Sequence, residues 1–208
     1  MSLEIWLTFV AASTALLFIP GPTVLLVLSY ALSQGRKVAL ASASGVALGD
    51  FIAMSASLAG LGALVLASAT LFTVLKWVGA AYLVWMGWGL LRSAPSEGLG
   101  MQDTAPVPPS GVFRHAAIVT ALNPKSIAFF IAFVPQFVNA QAPLMPQFAI
   151  LIATFVGLAA LNALAFALAA DRLRRVIARP RVVTGLTRAG GAALIGMGVM
   201  TATLRRAA

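Results

Sequence analysis

Residues 3–31 read LEIWLTFVAASTALLFIPGPTVLLVLSYA. The stretch carries one charge, Glu4, and is otherwise mostly apolar or small. It exceeds the roughly 20 residues that an α-helix needs to cross the hydrocarbon core of a bilayer. Its interior is broken at Pro20-Gly21-Pro22, where two prolines remove two backbone donors and clash with the preceding turn. Inside lipid, the freed carbonyls must be met by protein or by a water-lined cavity. This one segment therefore predicts a membrane helix and a break within it.

Further apolar runs of the same kind follow at 38–64, 69–91, 112–138, 146–170 and 183–204. The composition agrees: 61% of the chain is hydrophobic and 9% is charged. A soluble domain is about 45–50% apolar and about 25% charged, so too few charges are present to cover a water-exposed surface. Disorder needs low hydrophobicity and high charge, and is excluded as well. The expected fold is an all-α integral membrane protein with six transmembrane helices.

The formal net charge is +9. A basic soluble protein suggests nucleic acid, but here the basic residues sit in connections between apolar runs, without aromatic stacking platforms. The positive-inside rule accounts for them. Charge gathers at Arg36-Lys37, over 92–114 and from Asp171 to Arg188, whereas the connections near 62–70 and 139–145 carry none. Placing the charged connections in the cytoplasm puts both termini outside. Arg205, Arg206 and Lys76 run against that assignment without reversing it. A secretory signal needs a basic start, so the first run, with Glu4 as its early charge, is expected to remain as a span. Cysteine is absent, which removes disulfides, thiolate metal sites and dithiol redox chemistry. No metal or cofactor is expected. GxxxxGK[ST], HExxH and GxSxG are all missing, so neither ATP hydrolysis nor a soluble-enzyme chemistry is predicted.

Residues 93–111 (SAPSEGLGMQDTAPVPPSG) read as a flexible linker. It separates a first unit, 1–92, from a second, 112–208. The two resemble each other. Gly45-Val46-Ala47-Leu48-Gly49-Asp50 aligns with Gly157-Leu158-Ala159-Ala160-Leu161-Asn162 at an offset of 112 (157 against 45). Gly79 to Gly87 aligns with Gly190 to Gly198 at 111 (190 against 79). The first span of each unit contains proline, Pro20 and Pro22 in one and Pro124 in the other. Three spans per unit is an odd number, so the second copy is expected upside down relative to the first. Secondary transporters use this architecture, with sites at the midplane between the repeats.

Polar residues inside the spans are the candidates for function. Pro20, Gly21 and Pro22 would either leave half-helix ends facing a substrate, the N-terminal end favouring an anionic group, or form a plain proline kink that improves packing. Asn123-Pro124-Lys125 occupies the counterpart region. A lysine there costs at least about 2.5 kcal/mol in the hydrocarbon core and is expected to face the interior; a shallow position from which it reaches the interface is the alternative. Asp50 is central in the second span. Desolvation and a nearby cation pull the proton affinity of a carboxylate in opposite directions, which suits a proton carrier; an ion pair with Lys125 and a helix-capping role are alternatives. Asn162, its repeat counterpart, is read as a substrate ligand or as a hydrogen bond between helices. His115 is read as interfacial, Pro135-Gln136-Phe137 as a helix stop, and the small residues as points of close helix approach.

IPGPTVLLVLSYALSQGRKVALASASGVALGD, with ALNPKSIAFFIAFVPQFV after the linker, resembles the LysE/RhtB family of bacterial amino-acid exporters. The likeness covers essentially the whole chain. It implies six spans in two inverted halves in the cytoplasmic (inner) membrane, and export of amino acids or close derivatives driven by the proton gradient. Carried onto this chain, it points to Pro20, Gly21, Pro22, Asp50, Asn123, Pro124 and Lys125. Its more distant relatives that move reducing equivalents use a cysteine pair, which this chain lacks. The reading favours a homoserine, threonine or neutral amino-acid substrate. The implied partners are that substrate, protons and the lipid bilayer; nucleic acid is not among them, and a homo-oligomer is left open. A passive small-solute facilitator and a non-transporting membrane subunit are the rival readings.

Overall fold

The computed structural model describes residues 1–19, 21–92, 107–139, 142–177 and 180–203. Every regular element among them is helical: α1 (Leu3–Phe18), α2 (Pro22–Gln34), α3 (Ala39–Ala67), α4 (Ala69–Arg92), α5 (Pro109–Ala121), α6 (Pro124–Ala132), α7 (Leu144–Ile177) and α8 (Pro180–Thr203). Short 3-10 turns at Gly35–Val38 and Val134–Phe137 complete the order. Helices α3, α4, α7 and α8 are each long and apolar enough to cross a membrane. The pairs α1–α2 and α5–α6 pass the same test together but are bent by 58° and 45°. Counting each bent pair as one span gives six.

Local chemistry sets the ends. The Ser2 hydroxyl accepts from Ile5 N, and Glu4 lies in the first turn of α1, where a carboxylate complements the helix dipole. Ile19, which precedes a proline, is extended (φ −67°, ψ 119°), as that position favours. Pro22 then opens α2, where its missing N–H costs nothing. Helix α2 stops at Gly35, whose φ of 71° is open to glycine without strain. In the second bent pair Pro109 opens α5, Pro124 opens α6, and the Asn123 side chain caps α6 by accepting from Lys125 N.

Several predicted boundaries move. The run 146–170 becomes a helix reaching Ile177, because hydropathy marks where lipid contact ends and not where backbone hydrogen bonding ends. At about 1.5 Å per residue α7 is about 51 Å long, well beyond a hydrocarbon core of roughly 30 Å. The connection expected near 62–70 shrinks to Ser68, whose hydroxyl accepts from Leu71 N at the start of α4. Of the linker 93–111, residues 93–106 lie outside the described residues, and Pro109-Ser110-Gly111 form the first turn of α5.

Small residues bring the helices together. A Cβ at Gly49 would lie 2.6 Å from the Ala117 carbonyl oxygen and 2.7 Å from Thr120 Cβ, and Gly45 meets Phe113 and Ala116 in the same way. Helices α3 and α5 therefore run parallel in close contact. Helices α4 and α8 pack reciprocally: Gly87 faces Gly191 and Ile195, and Gly198 faces Ala80 and Val84. Positions climb on α4 as they fall on α8, so this pair is antiparallel. Gly62 on α3 meets Phe148 on α7, while Asp50 and Asn162 on the same two helices line one cavity; that pair is antiparallel too. Trp6 Nε1 donates to Thr154 Oγ1 (3.0 Å) and Phe18 stacks edge-on with Phe166, so α1 and α7 run parallel. These directions are those of six crossings that alternate. Large apolar side chains, among them Leu40, Trp85, Met145 and Leu161, cover the outside, a surface suited to lipid and too apolar for a soluble monomer.

Candidate functional site

The breaks in the two bent pairs meet at the centre of the bundle. Helix α1 ends there, where the Ile19 N–H reaches back to the Leu16 carbonyl (3.2 Å) and the remaining acceptor capacity of the last turn is open. Further donors come from the other half of the chain. Lys125 Nζ donates to the Leu16 carbonyl oxygen (3.0 Å) and to that of Ile19 (2.9 Å). Asn162 Nδ2 donates to the Leu17 carbonyl oxygen (3.2 Å). An ammonium suits the negative end of a helix dipole. Lys125, 9% exposed, is thus bound into the fold rather than reaching for the interface.

Asn123 is similarly engaged. Its oxygen caps α6 through Lys125 N (3.1 Å), and its amide donates to Thr23 Oγ1 (3.2 Å), which is 3.3 Å from Thr120 Oγ1. This network ties α2, α5 and α6 together at the level of the breaks.

Asp50 differs. It is 2% exposed, and its Oδ1 has no hydrogen-bond partner. Among the described residues no salt bridge within 4.0 Å joins it to Lys125. Neither the direct ion pair nor the capping role accounts for this oxygen. A buried carboxylate needs a proton, a cation or a set of donors.

Asp50, Asn123, Lys125 and Asn162 all line one cavity, together with Thr23, Val24, Val27, Val46, Ser126, Ala159, Ala163 and Phe166. About 30 Å³ of it admits the centre of a water-sized sphere, room for roughly two or three waters. The N-terminus of α2 opens onto it: Gly21 provides no side-chain cap, and Thr23 and Val24 of the first turn are in its wall. A Cβ at Gly21 would lie 3.5 Å from Lys125 Nζ, so the same helix end is flanked by the ammonium.

The structure therefore gathers Asp50, Asn123, Lys125 and Asn162 around one space, with Gly21 against Lys125. Pro22 and Pro124 are exposed and outside the lining; their part is to start α2 and α6. Pro20 lies outside the described residues. The wall residues Thr23, Ser126, Ala159, Ala163 and Phe166 were not singled out from sequence. Thr23 had a signal, as the polar residue directly after Pro22; the alanines had none. His115 is exposed, yet its Nδ1 lies 2.8 Å from the hydroxyl of buried Tyr30, away from the cavity. No group of three or more His, Cys, Asp or Glu that could hold a metal occurs among the described residues.

Comparison with known proteins gives this arrangement a family. A family model described as LysE type translocator matches residues 5–205. A homoserine/homoserine lactone efflux protein of Salmonella typhimurium is 32% identical over 208 residues, covering 100% of both chains. An uncharacterized membrane protein of Vibrio cholerae is 31% identical over 206 residues, 99% of this chain and 100% of its own. A leucine efflux protein of Klebsiella pneumoniae is 31% identical over 140 residues, 66% of each chain. No solved structure matches. With the match running almost from end to end and the breaks meeting at a polar centre, the chain belongs to the LysE-type translocator family, a family of transport proteins and not of enzymes.

Proposed function

We propose that this protein exports a small neutral amino acid or a close derivative from the cytoplasm in exchange for protons. The observation that carries the proposal is the Asp50 carboxylate, buried with an unpaired oxygen in a cavity that also receives the bare N-terminus of α2. A zwitterion has the two complementary groups. Its carboxylate would sit at the first-turn amides of α2, beside the Lys125 ammonium. Its ammonium would pair with Asp50. A proton would satisfy the same carboxylate, so proton and substrate compete for one group, which is the requirement for exchange. Moving one charge through 100 mV is worth about 2.3 kcal/mol, enough to drive the coupling. Asn123 and Asn162 would hold the helix ends that shape the site.

The apolar wall of Val24, Val27, Val46, Ala159 and Ala163 suits a short, uncharged side chain. The full-length match to a homoserine/homoserine lactone efflux protein points the same way, and the leucine efflux relative marks the aliphatic alternative. The room for only two or three waters fits a closed state, which must open on one side to admit substrate.

Residues 1–92 and 112–208 would form two inverted halves that rock about this site, joined by a cytoplasmic linker at 93–111 in the inner membrane with both termini outside. The reciprocal, antiparallel packing of α4 on α8 supports this: Gly87 meets Gly191 and Ile195, and positions 111 residues on, or back, repeat the contact as Gly198 with Ala80 and Val84.

The test is counterflow in proteoliposomes with homoserine, threonine and leucine, with and without a pH gradient. Export is expected to follow the gradient, and Asp50→Asn to lower proton-driven export by about tenfold or more, as for loss of a group that carries the exchanged charge. No transport of any amino acid or derivative refutes the function. Flux that ignores both the gradient and Asp50→Asn establishes a passive facilitator instead.

A further inference from the structure

Six phenylalanines lie to one side of the cavity. Leu16 of α1 is in the cavity wall, and Phe9 is seven residues earlier, about 10 Å along the helix. Lys125 and Ser126 of α6 are in the wall, and Phe129, Phe130, Phe133 and Phe137 follow toward the same side. Ala159 of α7 is in the wall, and Phe155 is one turn earlier in that direction. Their rings form an unbroken chain. Phe155 contacts Phe130 (centroids 4.8 Å), Phe130 contacts Phe129 (6.1 Å), Phe129 contacts Phe133 (5.3 Å), Phe133 contacts Phe137 (5.3 Å), and Phe137 contacts Phe9 (5.3 Å). Every ring is at most 5% exposed. No small polar solute passes through such packing.

Two polar atoms inside or beside this apolar layer lack partners. Ser13 lies on α1 between Phe9 and Leu16, fully buried, and its hydroxyl has no hydrogen bond. Gln136 precedes Phe137; its amide donates to Thr201 Oγ1 (2.6 Å), but its buried Oε1 accepts nothing. Buried polar atoms without partners are rare and call for a reason. A path that a zwitterion follows in another state gives one, because its ammonium would meet both oxygens in passing.

We infer that the ring chain is the gate on the face where α1 begins and the Val134–Phe137 turn ends, closing a path that runs past Ser13 and Gln136. This rests on the transport reading above. The Phe9–Phe137 contact is where it parts, since Phe9 belongs to the first half and the other five rings to the second.

The cysteine-free chain allows a direct test. A single cysteine is placed at Ser13 and exposed to a membrane-impermeant maleimide in de-energised membranes without substrate. The reagent is applied from the face on which a cysteine at Ser2, at the start of α1, reacts. The Ser13 cysteine is expected to be protected in the parent. It should react about tenfold faster or more once Phe137→Ala removes a ring, because one lost stacking contact shifts a closed–open equilibrium by that order. Phe137→Leu, which keeps an apolar side chain and a folded bundle, should show the same direction. A Ser13 cysteine that reacts in the parent as fast as the one at Ser2, or that stays protected in both folded variants, overturns the gate. The readout needs no substrate, so a failed gate leaves the transport proposal standing, and failed counterflow with a positive labelling result refutes transport alone.

Discussion

At the scale of single residues, two charged side chains are buried among the described residues, and the structure gives them opposite situations. Lys125 is bound to two carbonyls at the end of α1; Asp50 keeps an oxygen without a partner. Lys125 is thus a structural cation as well as a wall of the cavity. Lys125→Met should take the ammonium from the Ile19 carbonyl and leave the Leu16 carbonyl with the Ile19 N–H alone, at a cost of about 1–3 kcal/mol for the buried acceptor left unmet. Thermal unfolding in detergent reads this as a clear drop in midpoint, and an unchanged midpoint contradicts the capping role. Asp50 and Lys125 were both legible in the sequence, because a charge amid lipid-facing residues stands out by its cost. Their division of labour was not. It depends on where α1 ends in space, 106 and 109 residues away in the chain. The alanines of the cavity wall were illegible for another reason: Ala159 and Ala163 look like any other alanine of an apolar helix, and only the facing helices turn them into a lining.

At the scale of elements, prolines and glycines decide which helices bend and which touch. The bends at Ile19–Gly21 and Leu122–Asn123 follow from proline chemistry and were expected. The extent of α7 was not, since its last charged turns belong to the same helix as its apolar body. Close contact of α3 with α5 depends on Gly49, where a methyl group would lie 2.6 Å from a carbonyl oxygen. Gly49→Ala should therefore destabilise by about 1–3 kcal/mol through overpacking. Gly60 on the same helix has nothing within 4 Å of its added Cβ, so Gly60→Ala should be neutral or slightly stabilising through helix propensity. Melting curves of the two variants side by side decide the matter; equal effects would show that the contact does not matter.

At the scale of the whole molecule, helices of one half pack directly on helices of the other. Helix α4 lies on α8, α3 on α5 and α7, and α1 on α7. A chain cut within residues 93–106 should therefore assemble when residues 1–97 and 98–208 are made together. Co-purification of the fragments through a tag on one of them measures this. Fragments that insert but do not associate would mean that the linker holds the halves together.

Capping α1 from Lys125 also bears on how the protein is made. The chain emerges in order, and the donor for Leu16 and Ile19 is synthesised more than a hundred residues after them. At about 5–20 residues per second this is a wait of roughly 5 to 20 s. Through that interval the first helix sits in the bilayer without the ammonium at its buried end, and the Ile19 carbonyl depends on water or lipid headgroups for company. The newborn first half is consequently an unfinished object until α6 arrives to close it.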